Sequence, residues 1–296
     1  MKIINFGSLN LDYVYRVPHF VQPGETLQSR SRETVCGGKG LNQSVALSRS
    51  GAEVWHAGCI GEGDGEPLAA MLAEAGVHLE HLRRVAGPSG HTVIQVNDEG
   101  ENCILLFAGA NGQIDAAQVE ETLSHFGPGD LLVLQNEVSC IGDMIRTAKA
   151  RGMLVAMNPS PVGGCEAYPL EETDWLFVNE EEARAISGAD AGADEEGVLA
   201  AVEARFPRTR VIATFGARGA MAVSGGRPRL WQDAFRVKPV DTTAAGDTFM
   251  GYFLGRASRG DSEADCLRMA ARASSIAVTR PGAAPSIPML EEVERA

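Results

Sequence analysis

The most chemically suggestive stretch of the sequence is residues 240–251, Val-Asp-Thr-Thr-Ala-Ala-Gly-Asp-Thr-Phe-Met-Gly. Residues 235–240 read as the end of a strand, and a helix is expected from about Ala245. The first amides of a helix have no internal partner and carry the positive end of its dipole. Ala244, Ala245 and Gly246 have almost no side chain, so an anion can come close to those amides. Asp247 then stands in the first turn, beside that anion. Amides that steady a moving phosphoryl group, next to a carboxylate that takes a proton from an attacking hydroxyl, are the parts of phosphoryl transfer. Taken alone, Asp247 would suit a plain dipole-complementing role better.

Other residues bear on the choice. Gly37-Gly38-Lys39-Gly40-Leu41-Asn42-Gln43 is a second glycine-rich turn into a helix. It lacks the spacing of a P-loop, and no Gly-x-Gly-x-x-Gly follows a strand. Gly38 and Gly40 permit close backbone approach, while Lys39 and Asn42 offer donors to hydroxyl groups. Asn10 and Asp12, two apart at the expected end of the first strand, project to one side and can hold vicinal hydroxyls, or can form a simple turn. Glu137, after the apolar strand 131–134, is either a further polyol contact or the start of the next helix. Asn179 and Glu182 have the spacing of a capping box, or they face nucleotide phosphates and a hydrated Mg²⁺. Thr214, Phe215, Gly216, Ala217, Arg218 and Gly219 form a turn between two strands against which a base or phosphate can lie. His78 and His81 are expected in a loop after Gly76, as solvated residues rather than metal ligands.

The elements that must place these residues alternate. Strands are expected at 2–6, 53–60, 131–134, 153–157, 175–178 and 211–214. Helices are expected at 40–50, 67–75, 115–125, 141–150, 180–186, 195–204, 245–257, 263–277 and 289–294. Continuously apolar strands alternating with helices imply an α/β fold, a largely parallel sheet with helices on both faces and ligands beyond the strands' carboxyl ends. Residues 13–34 and 91–107 break the pattern with short β pieces and turns. The expected division is a main α/β domain of residues 1–12, 35–90 and 108–296, with 13–34 and 91–107 forming a small β-sheet that serves as a lid, a dimer surface, or both.

The chain has 296 residues, 44% of them hydrophobic and 22% charged, which suits one large globular α/β unit. A net charge of −13 and no basic run argue against nucleic acid or an anionic membrane as partner. The six cysteines are scattered without any Cys-x-x-Cys, the usage of a reduced compartment. No charged-then-apolar leader and no bilayer-length apolar run are present, so a soluble cytoplasmic protein is expected.

With these pieces in hand, the chain resembles the ribokinase-like sugar kinases, also called the phosphofructokinase-B family. The specific carriers are 37–43 and Asp241-Thr242-Thr243-Ala244-Ala245-Gly246-Asp247-Thr248-Phe249, in that order, and the resemblance runs from Gly7 to near Ser286. It implies a three-layer α/β/α sandwich with a β lid and an ATP-dependent kinase acting on a terminal hydroxyl of a small sugar, D-ribose at O5 first among them. By the same resemblance Asp247 is the base and the Ala244, Ala245 and Gly246 amides are the anion hole. Asn10, Asp12, Gly38, Lys39, Gly40, Asn42 and Glu137 line the sugar pocket, while Asn179, Glu182 and residues 214–219 face ATP and Mg²⁺. Asp241, Thr243, Ala277, Arg280, Gly282 and Ser286 match the family's potassium site, several through backbone oxygens. The lid is expected to clasp a homodimer.

Three positions depart from the family pattern. Leu11 and Leu41 are bulkier than the usual alanines, and with Phe107 could line a slot for a nucleoside base; Ala271 replaces an Asn or His common near adenine. A kinase for a nucleoside, deoxyribose or a ketohexose is therefore the alternative in kind. A non-catalytic sugar- or nucleotide-binding regulator is the alternative in class, disfavoured because every catalytic position holds a competent residue.

Overall fold

A computed structural model describes residues 1–296. In chain order its elements are β1 (Ile3–Phe6), β2 (Asn10–Arg16), β3 (Ser31–Gly37), α1 (Lys39–Arg49), β4 (Val54–Gly61), α2 (Glu66–Glu74), β5 (His78–Val85), β6 (Gly90–Val96), β7 (Asn102–Phe107) and α3 (Ala116–Leu123). They continue with β8 (Leu131–Gln135), α4 (Ile141–Ala150), β9 (Leu154–Asn158), β10 (Trp175–Asn179), α5 (Glu180–Ser187), α6 (Glu195–Arg205), β11 (Arg210–Thr214), β12 (Gly219–Ser224) and β13 (Leu230–Asp233). The last helices are α7 (Ala245–Ser258), α8 (Glu263–Ala277) and α9 (Leu290–Arg295).

Nine strands form the main sheet in the order β13-β12-β11-β10-β9-β8-β1-β4-β5. From β11 to β5 neighbours run parallel; β12 and β13 turn back antiparallel at one edge. Successive side chains of a strand point to opposite faces, and both faces here are apolar. Ile3, Leu131 and Val133 enter a core of 34 residues beneath α1, α2, α7, α8 and α9. Ile4, Phe6, Leu132 and Leu134 enter one of 32 residues beneath α3 to α6. The near-equal cores make three layers, as the alternation of elements implies.

A second sheet, in the order β3-β2-β6-β7, holds the two β pieces together. It is larger than expected: β2 starts at Asn10 and β3 ends at Gly37, so Asn10 and Asp12 belong to this sheet and not to the end of β1. Two further expectations change. Residues 235–240 form no strand; Pro239 lacks a donor, and the segment instead walls a cavity. His78 and His81 lie in β5, where His78 stacks on Trp55 at 4.6 Å and His81 tilts against His125 at 5.1 Å; the described residues hold no cluster of His, Cys, Asp or Glu suited to a metal ion. All six cysteines are free thiols.

Helices α1 and α7 cross with main chain against main chain. A Cβ at Gly251 would lie 2.3 Å from Ala46 Cβ and 2.9 Å from Leu47 N, closer than any real contact. Glycine is needed at this crossing, and it sets how near the two helix starts come.

Candidate active site

The carboxyl ends of β8, β9, β10 and β11 and the amino ends of α1, α5 and α7 converge on one cleft, the usual ligand position in a doubly wound sheet. Ala244 leads into α7 in the left-handed conformation (φ 59°), and no side chain caps the helix. A residue with a Cβ pays about 1–2 kcal/mol for that conformation, a strain typical of functional sites. Thr248 N and Oγ1 both donate to the Ala244 carbonyl at 2.8 Å, and Ser274 Oγ donates to the Ala245 carbonyl at 3.0 Å, so the turn is held firmly. The Ala245 amide bonds to the Thr242 carbonyl at 3.2 Å; the Gly246 and Asp247 amides find no acceptor in the chain. A Cβ at Gly246 would meet nothing within 4 Å. The start of α7 therefore faces open space with donors to spare.

Asp247 is 7% exposed and accepts from Asn42 Nδ2 at 3.1 Å and Gln43 Nε2 at 2.9 Å. With Lys39, Asn158, Asn179, Glu182, Thr214 and the 244–246 turn it lines a cavity of about 240 Å³. A larger cavity of about 710 Å³ shares the wall formed by Thr214, Thr242, Ala245, Gly246 and Phe249. Gly216, Ala217, Gly219, Phe235, Val237, Pro239, Ala271 and Val278 line its apolar remainder. The small cavity is polar and phosphate-sized, and the large one has the dimensions and character of a base-and-ribose pocket.

Burial draws the Lys39 ammonium down, but the carboxylates of Asp247, Glu137 and Glu182 outweigh it, and the net shift is upward. Lys39 is thus a fixed cation in an acidic protein. Burial pushes Glu137 up, and the Ser8 hydroxyl (2.5 Å), the Lys39 charge and the Lys39 amide (3.2 Å) oppose it only in part. Ser8 Oγ also accepts from the Gly40 amide at 3.2 Å. Glu137 therefore ties the β1–β2 connection to the start of α1, and it does not begin α4. Asp12 is likewise pushed up by burial, against a 2.5 Å bond from Thr92 Oγ1. Asn10 Oδ1 accepts from Asn111 Nδ2 at 2.8 Å. A Cβ at Gly37 would strike Asp12 Oδ2 at 2.1 Å, and one at Gly90 would strike Asn10 Oδ1 at 2.3 Å.

Several expected contacts take other places. The Phe215 ring is buried in the core beside Trp231. Arg218 is bound outward to Glu180 and Glu195 and lines neither cavity. Of residues 214–219, Thr214, Gly216, Ala217 and Gly219 remain at the cleft. Leu11 and Leu41 are packed in the core beneath α1, so they form no slot for a base; Phe107 lies exposed on β7. Asn179 and Glu182 form the capping box and also line the small cavity.

Asp241 sits where its carboxylate joins two segments. Oδ1 accepts from Thr243 N (2.9 Å) and Oγ1 (2.6 Å), and Oδ2 from Gly282 N (2.9 Å). Burial raises its pKa, but these three bonds outweigh it and the net shift is downward, which keeps it ionised. The Ala277 carbonyl accepts from the Arg280 amide, the Arg280 guanidinium turns outward to Glu292 at 2.5 Å, and Ser286 Oγ donates to the Ala283 carbonyl at 2.7 Å. Residues 241, 243 and 282 are brought together directly, with 277 and 280 in the adjoining turn.

Gln43, Asn158, Ser8 and Asn111 were not expected at the site. Gln43 was visible inside the 37–43 motif, but its partner lies in another helix; Asn158 simply ends a strand.

The family model of the pfkB carbohydrate kinases matches residues 1–290. The chain belongs to the pfkB family of carbohydrate kinases. This pfkB kinase is 35% identical to the ribokinase of Schizosaccharomyces pombe over 308 residues, covering 99% of this chain and 97% of the relative. It is 34% identical to the ribokinase of Haemophilus influenzae over 292 residues, covering 97% and 95%. The solved structure of Arabidopsis thaliana ribokinase complexed with ribose and ATP superposes with a TM-score of 0.86 at 28% identity, covering 99% of this chain and 97% of that one.

Proposed function

We propose that this pfkB kinase transfers the γ-phosphoryl group of ATP to a terminal hydroxyl of a small sugar, with D-ribose at O5 as the substrate. The observation that carries this reading is the Asp247 carboxylate beside uncapped amides, with a phosphate-sized cavity opening onto a base-sized one. The full-length similarity to ribokinases selects ribose among sugars. The burial of Leu11 and Leu41 removes the apolar slot that a nucleoside would use.

In this reading Asn10, Asp12 and Asn42 hold the sugar hydroxyls, and the half-buried Gly38 lies beside them. Gly40 is instead buried against the Gly7–Ser8 main chain, where a Cβ would lie 2.3 Å from Ser8 N, and serves packing and not sugar contact. Asp247 takes the O5 proton as the oxygen attacks phosphorus. The Gly246 amide and Lys39 balance charge gathering on the transferred group. The described residues provide no multi-carboxylate cage, and Glu182 with Asn158 and Asn179 suits a Mg²⁺ that arrives on phosphate oxygens. Magnesium supplies charge neutralisation across the phosphates. The Asp241 carboxylate, kept ionised by its bonds from Thr243 and Gly282, would suit a potassium ion, which would hold the turn before α7 without touching substrate.

The small sheet serves as a lid that excludes water. Its outer strand β7 exposes Ile104, Leu105, Leu106 and Phe107, a surface suited to a second copy of the chain. No helix is long and apolar enough to cross a membrane, in keeping with a cytoplasmic enzyme.

The test is a coupled ADP-release assay with Mg·ATP and a panel of D-ribose, 2-deoxyribose, fructose and adenosine. Ribose should give the highest kcat/KM. A higher value for another acceptor reassigns the substrate, and ADP release that depends on no acceptor removes the kinase reading.

A further inference from the structure

Behind the Asp247 carboxylate lies a buried row of side-chain amides to which the proposed transfer assigns no part. Asn5 of β1, Gln135 at the end of β8 and Gln43 of α1 are all 0–1% exposed. Asn5 Nδ2 donates to the Gly40 carbonyl and to Ser44 Oγ, each at 2.8 Å. Gln135 Nε2 donates to Asn5 Oδ1 at 2.9 Å and to Gln43 Oε1 at 2.7 Å. Gln43 Nε2 then donates to Asp247 Oδ1 at 2.9 Å.

A side-chain amide has a donor end and an acceptor end of nearly the same shape, so its orientation follows from its neighbours. In this row the orientation starts at a group that cannot be reversed. The Gly40 carbonyl only accepts, so Asn5 must turn its nitrogen toward it. Asn5 Oδ1 then faces Gln135, which must offer its nitrogen. Gln135 offers the same nitrogen to Gln43, whose oxygen must receive it. The Gln43 nitrogen is left facing Asp247. Reversing Gln135 would set its oxygen against two acceptors in a dry interior, a costly arrangement.

We propose that Gln43 is a positioning residue for the base and that Gln135 and Asn5 fix its polarity, so that a donor always meets the Asp247 carboxylate. The inference rests on Asp247 being the base. A donor to Oδ1 fixes the rotation of the carboxylate about its last bond. The charged groups around Asp247 are Lys39 on α1, Glu137 after β8 and Glu182 on α5, with Asn42 the other neutral donor. Removing Gln43 leaves that charge arrangement unchanged and takes away one neutral donor.

The test compares Gln43→Met, Gln135→Met, the double variant and Asp247→Asn, using D-ribose and Mg·ATP. Gln43→Met should lower kcat by about 10-fold or more while KM for both substrates stays within about 3-fold, the signature of an interaction that matters in the transition state. Gln135→Met should likewise lower kcat and leave KM for both substrates within about 3-fold. The double variant should be no slower than Gln43→Met within about 2-fold, since Gln135 acts through Gln43. Single variants with kcat within about 2-fold of wild type, or a double loss equal to the product of the single ones, overturn the inference. Should Gln135→Met fail to fold, Gln43→Met alone decides by the same two readings. Asp247→Asn separates the two claims. If it keeps more than about a tenth of the rate, Asp247 is not the base and the inference falls with it. If it is inactive while the glutamine variants are normal, only the inference falls.

Discussion

Asn42 and Asp247 stand 205 positions apart in the chain, yet Asn42 Nδ2 donates to Asp247 Oδ2 at 3.1 Å. The first lies on α1 and the second on α7, so one bond joins the two glycine-rich helix starts across the cleft. Asn42 Oδ1 is buried and has no partner in the chain. An orphaned acceptor beside a carboxylate is suited to a hydroxyl brought by a substrate.

Asp247→Asn keeps the shape of the site and removes the basic oxygen. Turnover should fall by about 10²-fold or more, the usual contribution of a general base. Calorimetric binding of ATP and ribose should persist. Loss of binding in parallel with turnover would assign Asp247 to ligand binding instead.

Gly246 offers a test in which stability and activity part. A methyl group there meets no atom within 4 Å, and helix interiors favour Ala over Gly by about 1 kcal/mol. Gly246→Ala should leave Tm unchanged or raise it, while the methyl blocks an anion from the amides and lowers kcat/KM for ATP. A variant as active as wild type would show that the transferred group rests elsewhere.

The three hydrogen bonds to Asp241 join the turn before α7 to Gly282. In potassium buffer the wild type should turn over faster than in sodium buffer. Asp241→Ala should be slower in both and bring the ratio near one. An equal ratio in the wild type removes the ion from the account.

Burial holds the His56 imidazole down to about 4, partly opposed by the Gly7 backbone, against an ordinary value of 6.5. Above pH 6.5 the ring is neutral in the folded and unfolded chain, and its contribution to stability is fully present. As pH falls toward 4, the unfolded chain binds a proton that the fold refuses, and stability is lost. The loss approaches about 3 kcal/mol at pH 4. Urea unfolding at pH 7.5, 6 and 4.5 should show it, and His56→Gln should flatten the slope in that window.

Leu105 on β7 is 70% exposed with apolar neighbours. Light scattering should give a dimer for the wild type and a monomer for Leu105→Glu. A monomeric wild type would leave the face without a self-partner.

The parts legible in the sequence were those whose reason is local. Gly38, Asn42, Gly246 and Asp247 sit in two compact motifs, each entering a helix, and periodicity alone set out the layered sheet. The residues that escaped notice depend on neighbours far along the chain. Gln135 reads as the polar end of an apolar strand, and its meaning comes from Asn5 and Gln43, 130 and 92 positions away. Leu11 and Leu41 lie between polar contacts in the sequence, but the backbone turns them the other way, into the core. Phe215 misleads for the same reason. Residues 235–240 have the apolar content of a strand, yet Pro239 and the adjoining cavity leave them outside the sheet.

The bare crossing of α1 and α7 at Gly251 acts as a gauge block. Because the spacing between the two halves of the cleft is set by backbone touching backbone, side chains elsewhere in the core can be exchanged over generations without retuning the reaction distance. The same arrangement makes the enzyme brittle at one point. A single added methyl at Gly251, one helical turn beyond the acid, would wedge the acceptor away from the phosphorus.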